Sequence, residues 1–116
     1  MNQAYSPSRS RQDAAPQLRA GMTQLVVAHA YGVPLDAIRA RSRGVGRAAR
    51  ARQIAMYLTH VVFSMTMADV ARGFGRDRST ARHAIQRVEE LREDPELNRT
   101  LGWLEATLRG VLEQEP

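Results

Sequence analysis

The 116-residue sequence contains no cysteine, which excludes a disulfide framework, a Cys-based zinc site and thiol chemistry. Lysine is missing as well, so all 17 basic residues are arginine. Guanidinium cations alone equip a chain for planar, forked contacts with phosphates and guanine. Long apolar runs are absent: the longest uncharged stretch, Gln53 to Ala68, is 16 residues and is interrupted by Thr59, His60, Ser64 and Thr66. A membrane-spanning helix needs roughly 20 apolar residues. The opening MNQAYSPSRSRQDAAPQ has no hydrophobic stretch of the kind a secretory leader carries. These features together read as a soluble, cytoplasmic protein with no membrane contact. Three scattered histidines without carboxylates at ligand spacing give no expectation of a metal. His29 and His60 read as packing or surface residues. No Ser-His-Asp or paired-carboxylate arrangement is recognisable, so an enzyme is not expected, and no cofactor is implied.

The charge that is present is unevenly placed. Residues 1–88 hold 14 arginines against four acids, whereas residues 89–116 hold three against eight, leaving the formal net charge of +5. A basic body with an acidic C-terminal part points to a polyanion-binding surface on one side only.

Periodicity predicts helices throughout, with no strand pattern and no repeat. Residues 1–17, with two prolines, three serines and two arginines, read as a flexible arm. A first helix is expected from about Gln17 or Met22 to Tyr31, burying Leu25, Val26 and His29 and stopped by Gly32. Pro34 suits the first position of a short helix, PLDAIR. The stretch RARSRGVGRAARAR, residues 39–52, holds six arginines and no acid, and its central glycines and serine argue for a loop. A third helix from about Arg47 to Phe63 would bury Ile54, Leu58, Val61 and Met65. Ser64 or Thr66 can cap a short fourth helix, MADVARGF, ending at Gly75. Asp77 is the natural cap of a fifth helix with Ala81, Ala84, Ile85, Val88 and Leu91 on its core side. Asp94 and Pro95 open a last helix carrying a stripe of Leu97, Leu101, Leu104, Leu108 and Val111 or Leu112, and Trp103 is expected to help cover the core. The expected fold is an all-α, compact bundle of five or six helices. Its domains would be the arm at 1–17, the bundle at 18–93, and an amphipathic helix at 94–116 packing on the bundle or on a partner.

From Thr66 to Ala84 a short helix, a Gly-containing turn and a longer helix follow one another. This is the helix-turn-helix plan, whose second helix lies in the major groove. The start of that helix presents Arg78, Ser79, Arg82, His83 and Gln86. Arginine forks to guanine, aspartate accepts from cytosine, and a helix N-terminus favours phosphate.

RQIAMYL at 52–58, followed by TMADVARGFGRDRSTARHA at 66–84, resembles the C-terminal DNA-binding domain of the bacterial replication initiator DnaA. YGV at 31–33 with Asp36 and Ile38 also matches the stretch ahead of the basic loop, and the resemblance covers about residues 22–92. It implies that Asp77, Ser79 and Thr80 read bases and grip phosphates, that His83 approaches the DNA, and that Arg52 and Gln53 touch backbone and base edges. An arginine of the basic loop, Arg41 or Arg43, would enter the minor groove, while Arg47, Arg50 and Arg52 would hold phosphates. Two departures stand out. The second glycine of the family's FGGRD is missing, so Arg76 follows Gly75 directly, and the family's histidine after the aspartate is Arg78. A long fork at that position changes which bases can be read. Arg82, where the family is usually apolar, adds a further phosphate or base contact.

The sequence holds no G-x-x-x-x-G-K-[ST] phosphate loop, so no nucleotide is expected. The chain reads as a complete small protein that binds double-stranded DNA in the nucleoid and regulates transcription, as a monomer or weak dimer. It is similar to the DNA-binding part of alphaproteobacterial gene-transfer-agent activators, which implies RNA polymerase or a sigma-like protein as a partner. The alternatives are an accessory factor or competitor at replication-origin boxes, and a protein-interaction adaptor.

Overall fold

A computed structural model describes residues 7–40 and 46–113, with side chains from Pro16 onward. Six helices follow in order: α1 (Pro7–Tyr31), α2 (Leu35–Arg39), α3 (Arg47–Phe63), α4 (Met67–Phe74), α5 (Arg78–Leu91) and α6 (Pro95–Glu113). No strand occurs among the described residues, and no helix among them is long and apolar enough to cross a membrane.

α3 is the axis of the bundle, packing against each of the other five helices. Ile54, Ala55, Met56, Leu58 and Thr59 are all fully or almost fully buried, so it is enclosed on nearly every side rather than on one face. Thr59 satisfies its hydroxyl by donating to the Ala55 carbonyl at 2.7 Å, as a buried polar group must. Val61, expected in the core, is only half-buried, and Val62 and Phe63 are buried in its place.

α1 departs most from expectation. It begins at Pro7, ten residues before Gln17, so residues 7–17 are helical rather than part of an arm. Residues 1–6 lie outside the described residues. From Pro16 onward the helix is held by packing. Pro16 is buried, and its carbonyl lies where a Cβ on Gly73 of α4 would stand, at 2.6 Å. Glycine at 73 therefore lets the two backbones meet. The buried face of α1 also differs from the one expected. Ala20, Thr23, Gln24, Val27 and Ala28 face inward, while Leu25 is 56% exposed and His29 is exposed. The small inward residues allow close approach to α3 and α4, and that approach puts Leu25 on the opposite side of the helix.

Local signals fix the helix ends. Gly32 and Gly75 adopt left-handed backbones at φ 63° and 66°. Each closes its helix with a paired Schellman pattern: Val33 N–H to Ala28 O at 3.0 Å after α1, and Arg76 N–H to Ala71 O at 2.9 Å after α4. Thr66 caps α4 by accepting from Asp69 N–H at 3.1 Å, and Asp94 caps α6 by accepting from Leu97 N–H at 3.1 Å. Pro34 stands just before α2 as its cap rather than inside it.

α6 closes the bundle through buried Leu101, Leu104 and Leu108, with Leu97 and Leu112 partly covered. Arg92, in the α5–α6 turn, donates to Tyr57 Oη at 2.8 Å and to Glu105 Oε2 at 2.6 Å, tying α3 to α6. Burial works against the Arg92 charge, but its bonds to Tyr57 and Glu105 outweigh that and raise its pKa. Trp103, expected over the core, is 62% exposed instead. The leucines at 101, 104 and 108 occupy the inward arc, which leaves position 103 pointing away from it.

Candidate nucleic-acid interface

α4, the three-residue turn Gly75–Arg76–Asp77 and α5 form a helix-turn-helix. The Schellman closure at Gly75 makes the turn tight, because Arg76 already bonds back into α4. Asp77 then starts α5: its carboxylate accepts from Thr80 N–H at 2.9 Å and from the Ser79 hydroxyl at 3.0 Å. Hydrogen bonds from Thr80, then that from Ser79, hold the Asp77 carboxyl below its ordinary pKa. The cap therefore remains charged at neutral pH.

Ala81, Ala84, Ile85 and Val88 seat α5 on the bundle. The same 3.6-residue period leaves Arg78, Ser79, Arg82, His83, Gln86 and Arg87 exposed on the other side. Arg87 approaches Glu90 at 3.6 Å. Arg78 and Arg82 enter no ion pair among the described residues, so neither is tied to Asp77 or Glu89. Two free guanidiniums, a histidine and a glutamine on one helix face are donors matched to base edges and phosphates.

Arg76 of this element and Arg52 of α3 both bind the chain entering the basic loop. Arg76 Nη2 donates to the Ala40 carbonyl at 2.5 Å. Arg52 Nε donates to Ile38 O at 2.8 Å, and its Nη2 to Ala37 O at 2.7 Å. These bonds hold the carbonyls at the end of α2, which a helix terminus leaves without partners. Residue 40, the last before the loop, is thereby set beside the turn that opens α5. Arg41 and Arg43 themselves lie outside the described residues.

Arg52 needs correction as a phosphate holder. It is only 8% exposed, and burial, then the nearby Arg76 charge, lowers its pKa. Its fork is spent on backbone carbonyls because the end of α2 lies across α3 at this level. Gln53, next along α3, is half-buried.

Arg47 and Arg50 lie elsewhere. Arg47 donates to the Tyr31 carbonyl at 3.0 Å. Arg50 is half-buried and lines a hollow of about 340 Å³ with Tyr31, Leu91, Asp94 and Leu97. Burial raises the Tyr31 pKa, with Arg50 and Arg47 pulling the other way. The expected residues thus divide into one cluster at the start of α5, joined by Arg76, and a second around Tyr31. Sequence reasoning missed the bracing by Arg52 and Arg76, and also Arg39, which is exposed and held by Gln24 Oε1 at 2.9 Å. The signal for Arg39 was its place at the head of the arginine run.

Residues 22–88, more than half of the chain, match the family described as the bacterial DnaA protein helix-turn-helix. The chain belongs to that family. The DnaA of Deinococcus radiodurans is 32% identical to it over 119 residues, covering 99% of this chain and 23% of the relative. The DnaA of Rickettsia canadensis is 42% identical over 72 residues, covering 61% and 15%. Among solved structures, a DNA replication initiation factor superposes with a TM-score of 0.77 at 31% identity, over 87% of this chain and 31% of that one. A replication initiator DnaA bound to AMPPCP and single-stranded DNA gives 0.75 at 29% identity, over 90% and 32%. This DnaA-type chain therefore spans about a quarter or less of the length of these curated relatives, and all six helices of its fold belong to one all-α unit.

Proposed function

We propose that this DnaA-type chain is a sequence-specific double-stranded DNA-binding protein that regulates transcription from the nucleoid. The observation that carries the reading is the exposed face opening α5, where Arg78, Arg82 and His83 stand clear of other side chains beside Ser79 and the Asp77-capped terminus. In this role α5 enters the major groove, and Arg41 or Arg43 enters the adjacent minor groove from a loop anchored through Arg76. Positioning contacts to phosphate dominate affinity, while Arg78 and its neighbours choose the site. Its work is binding rather than catalysis, in company with RNA polymerase or a sigma-like protein.

Arg78 supports promoter sites over origin boxes. It stands where the family pattern has a histidine, so the preferred duplex differs from the initiator box. Selection of bound duplexes from a random library, followed by salt titration on the winner, tests this. A consensus distinct from the initiator box, with log K falling linearly in log salt, is the expected result. Enrichment of the initiator box would reassign the chain to replication control, and an absence of salt-sensitive duplex affinity would leave it an adaptor.

A further inference from the structure

The outer face of α6 serves neither the bundle nor the proposed DNA contact; the family match over residues 22–88 stops short of it, while the Deinococcus radiodurans relative aligns across it. Arg99, Trp103, Ala106, Arg109, Gly110 and Glu113 recur there at three- and four-residue steps, which places them on one continuous face. Trp103 stands 62% exposed in the middle of it. Arg99, Arg109 and Glu113 enter no ion pair among the described residues, whereas Glu105 on the inward side is held by Arg92.

The order of these residues is its own complement when reversed about Ala106. In an antiparallel pairing of two α6 helices with a two-fold axis at Ala106, position 99 of each copy meets position 113 of the other. Each Arg99 then faces a Glu113 across the seam, and each Trp103 ring lies along the flank over Gly110 of the other copy. Two-fold symmetry makes every such pair occur twice. Close approach is possible because Ala106 lies on the axis and Gly102 faces Gly110. The bundle does not itself call for glycine at these two positions: a Cβ at either would meet nothing within 4 Å, and glycine inside a helix is destabilising.

We infer that α6 docks against α6 of a second copy of this chain, antiparallel and centred on Ala106, to form a homodimer. The partner is another copy because the charges on this face complement themselves across a two-fold axis. The face runs about 21 Å along one helix, so the interface belongs with small, readily dissociating ones. The inference stands apart from the DNA reading and is tested without DNA.

The experiment is sedimentation of the full chain from low micromolar to several hundred micromolar at low salt, with the emission of Trp103, the single tryptophan, followed in parallel. Sedimentation should rise with concentration as emission moves to the blue. Trp103→Ala should weaken association by about tenfold while leaving the dilute protein's melting temperature unchanged. Arg99→Glu and Glu113→Arg should each weaken it, and R99E/E113R together should restore it. A protein that is monomeric at every concentration, a Trp103→Ala variant that associates like the wild type, or a double swap that fails to restore would each overturn the inference.

Discussion

Arg52→Met separates two roles for an arginine that the sequence places at a DNA surface and the fold places inside. Its Nε and Nη2 donate to the Ile38 and Ala37 carbonyls at 2.8 and 2.7 Å, and the residue is almost fully covered. A hydrogen bond from a charged donor contributes about 1.5–3 kcal/mol. The two share one guanidinium and do not simply add, so the substitution should cost about 2–4 kcal/mol. For a chain of this size that lowers Tm by roughly 10–20 °C. Methionine keeps the length and much of the packing of the stem, so the loss reports the fork rather than a cavity. Urea unfolding followed by far-UV circular dichroism gives the stability. Salt titration of duplex binding, in the cold where the variant is folded, gives the phosphate count. The slope of log K against log salt should stay as in the wild type, because no phosphate contact is removed. Stability within about 0.5 kcal/mol of wild type, together with a slope flattened by about 0.9, would refute the bracing role.

Other substitutions probe the remaining parts. Arg78→Ala should lower affinity for the selected duplex by about 1–3 kcal/mol and for random duplex much less; equal losses on both would remove its base-reading role. Gly73→Ala drives a methyl into the Pro16 carbonyl and against Ala20 Cβ at 3.0 Å, and should destabilise the bundle by about 1–3 kcal/mol in thermal melts. Asp77→Asn addresses the α5 cap through its pH dependence. The Asp77 pKa is depressed in the fold, so its contribution is present above the usual carboxylate range and lost as pH falls through the lowered value. The stability gap between wild type and variant should therefore close on acidification below about pH 4, and a gap that widened there would contradict the assignment. Glu105→Ala leaves Arg92 with Tyr57 and Asn98 alone, and should cost about 1.5–3 kcal/mol in urea unfolding.

The features legible in the sequence share one property: they are decided within three or four residues. Asp77, Thr66 and Asp94 cap helices by accepting from an N–H three positions on, and Gly75 ends α4 through bonds back into the same helix. The exposed and buried sides of α5 follow from a clean 3.6-residue period, so Arg78, Arg82 and His83 could be assigned to a surface from their spacing to Ala81, Ala84, Ile85 and Val88. The α1 face was not legible in this way. Its inward side carries Thr23 and Gln24 while Leu18 and Leu25 point out, so the apolar pattern gives the wrong direction.

Sequence alone thus determined the all-α class, the helix-turn-helix and the side of α5 that faces out, because local hydrogen bonding and periodicity are enough to set them. Tertiary structure alone decided which arginines are free. Arg52 reaches back 14 and 15 residues to the end of α2, and Arg76 reaches 36 residues to Ala40. Whether a guanidinium meets a carbonyl or water depends on which helix end the packing brings beside it. The outward position of Trp103 has the same origin: the leucines of α6 take the arc that α3 and α1 can cover, and the indole is left on the face they do not reach.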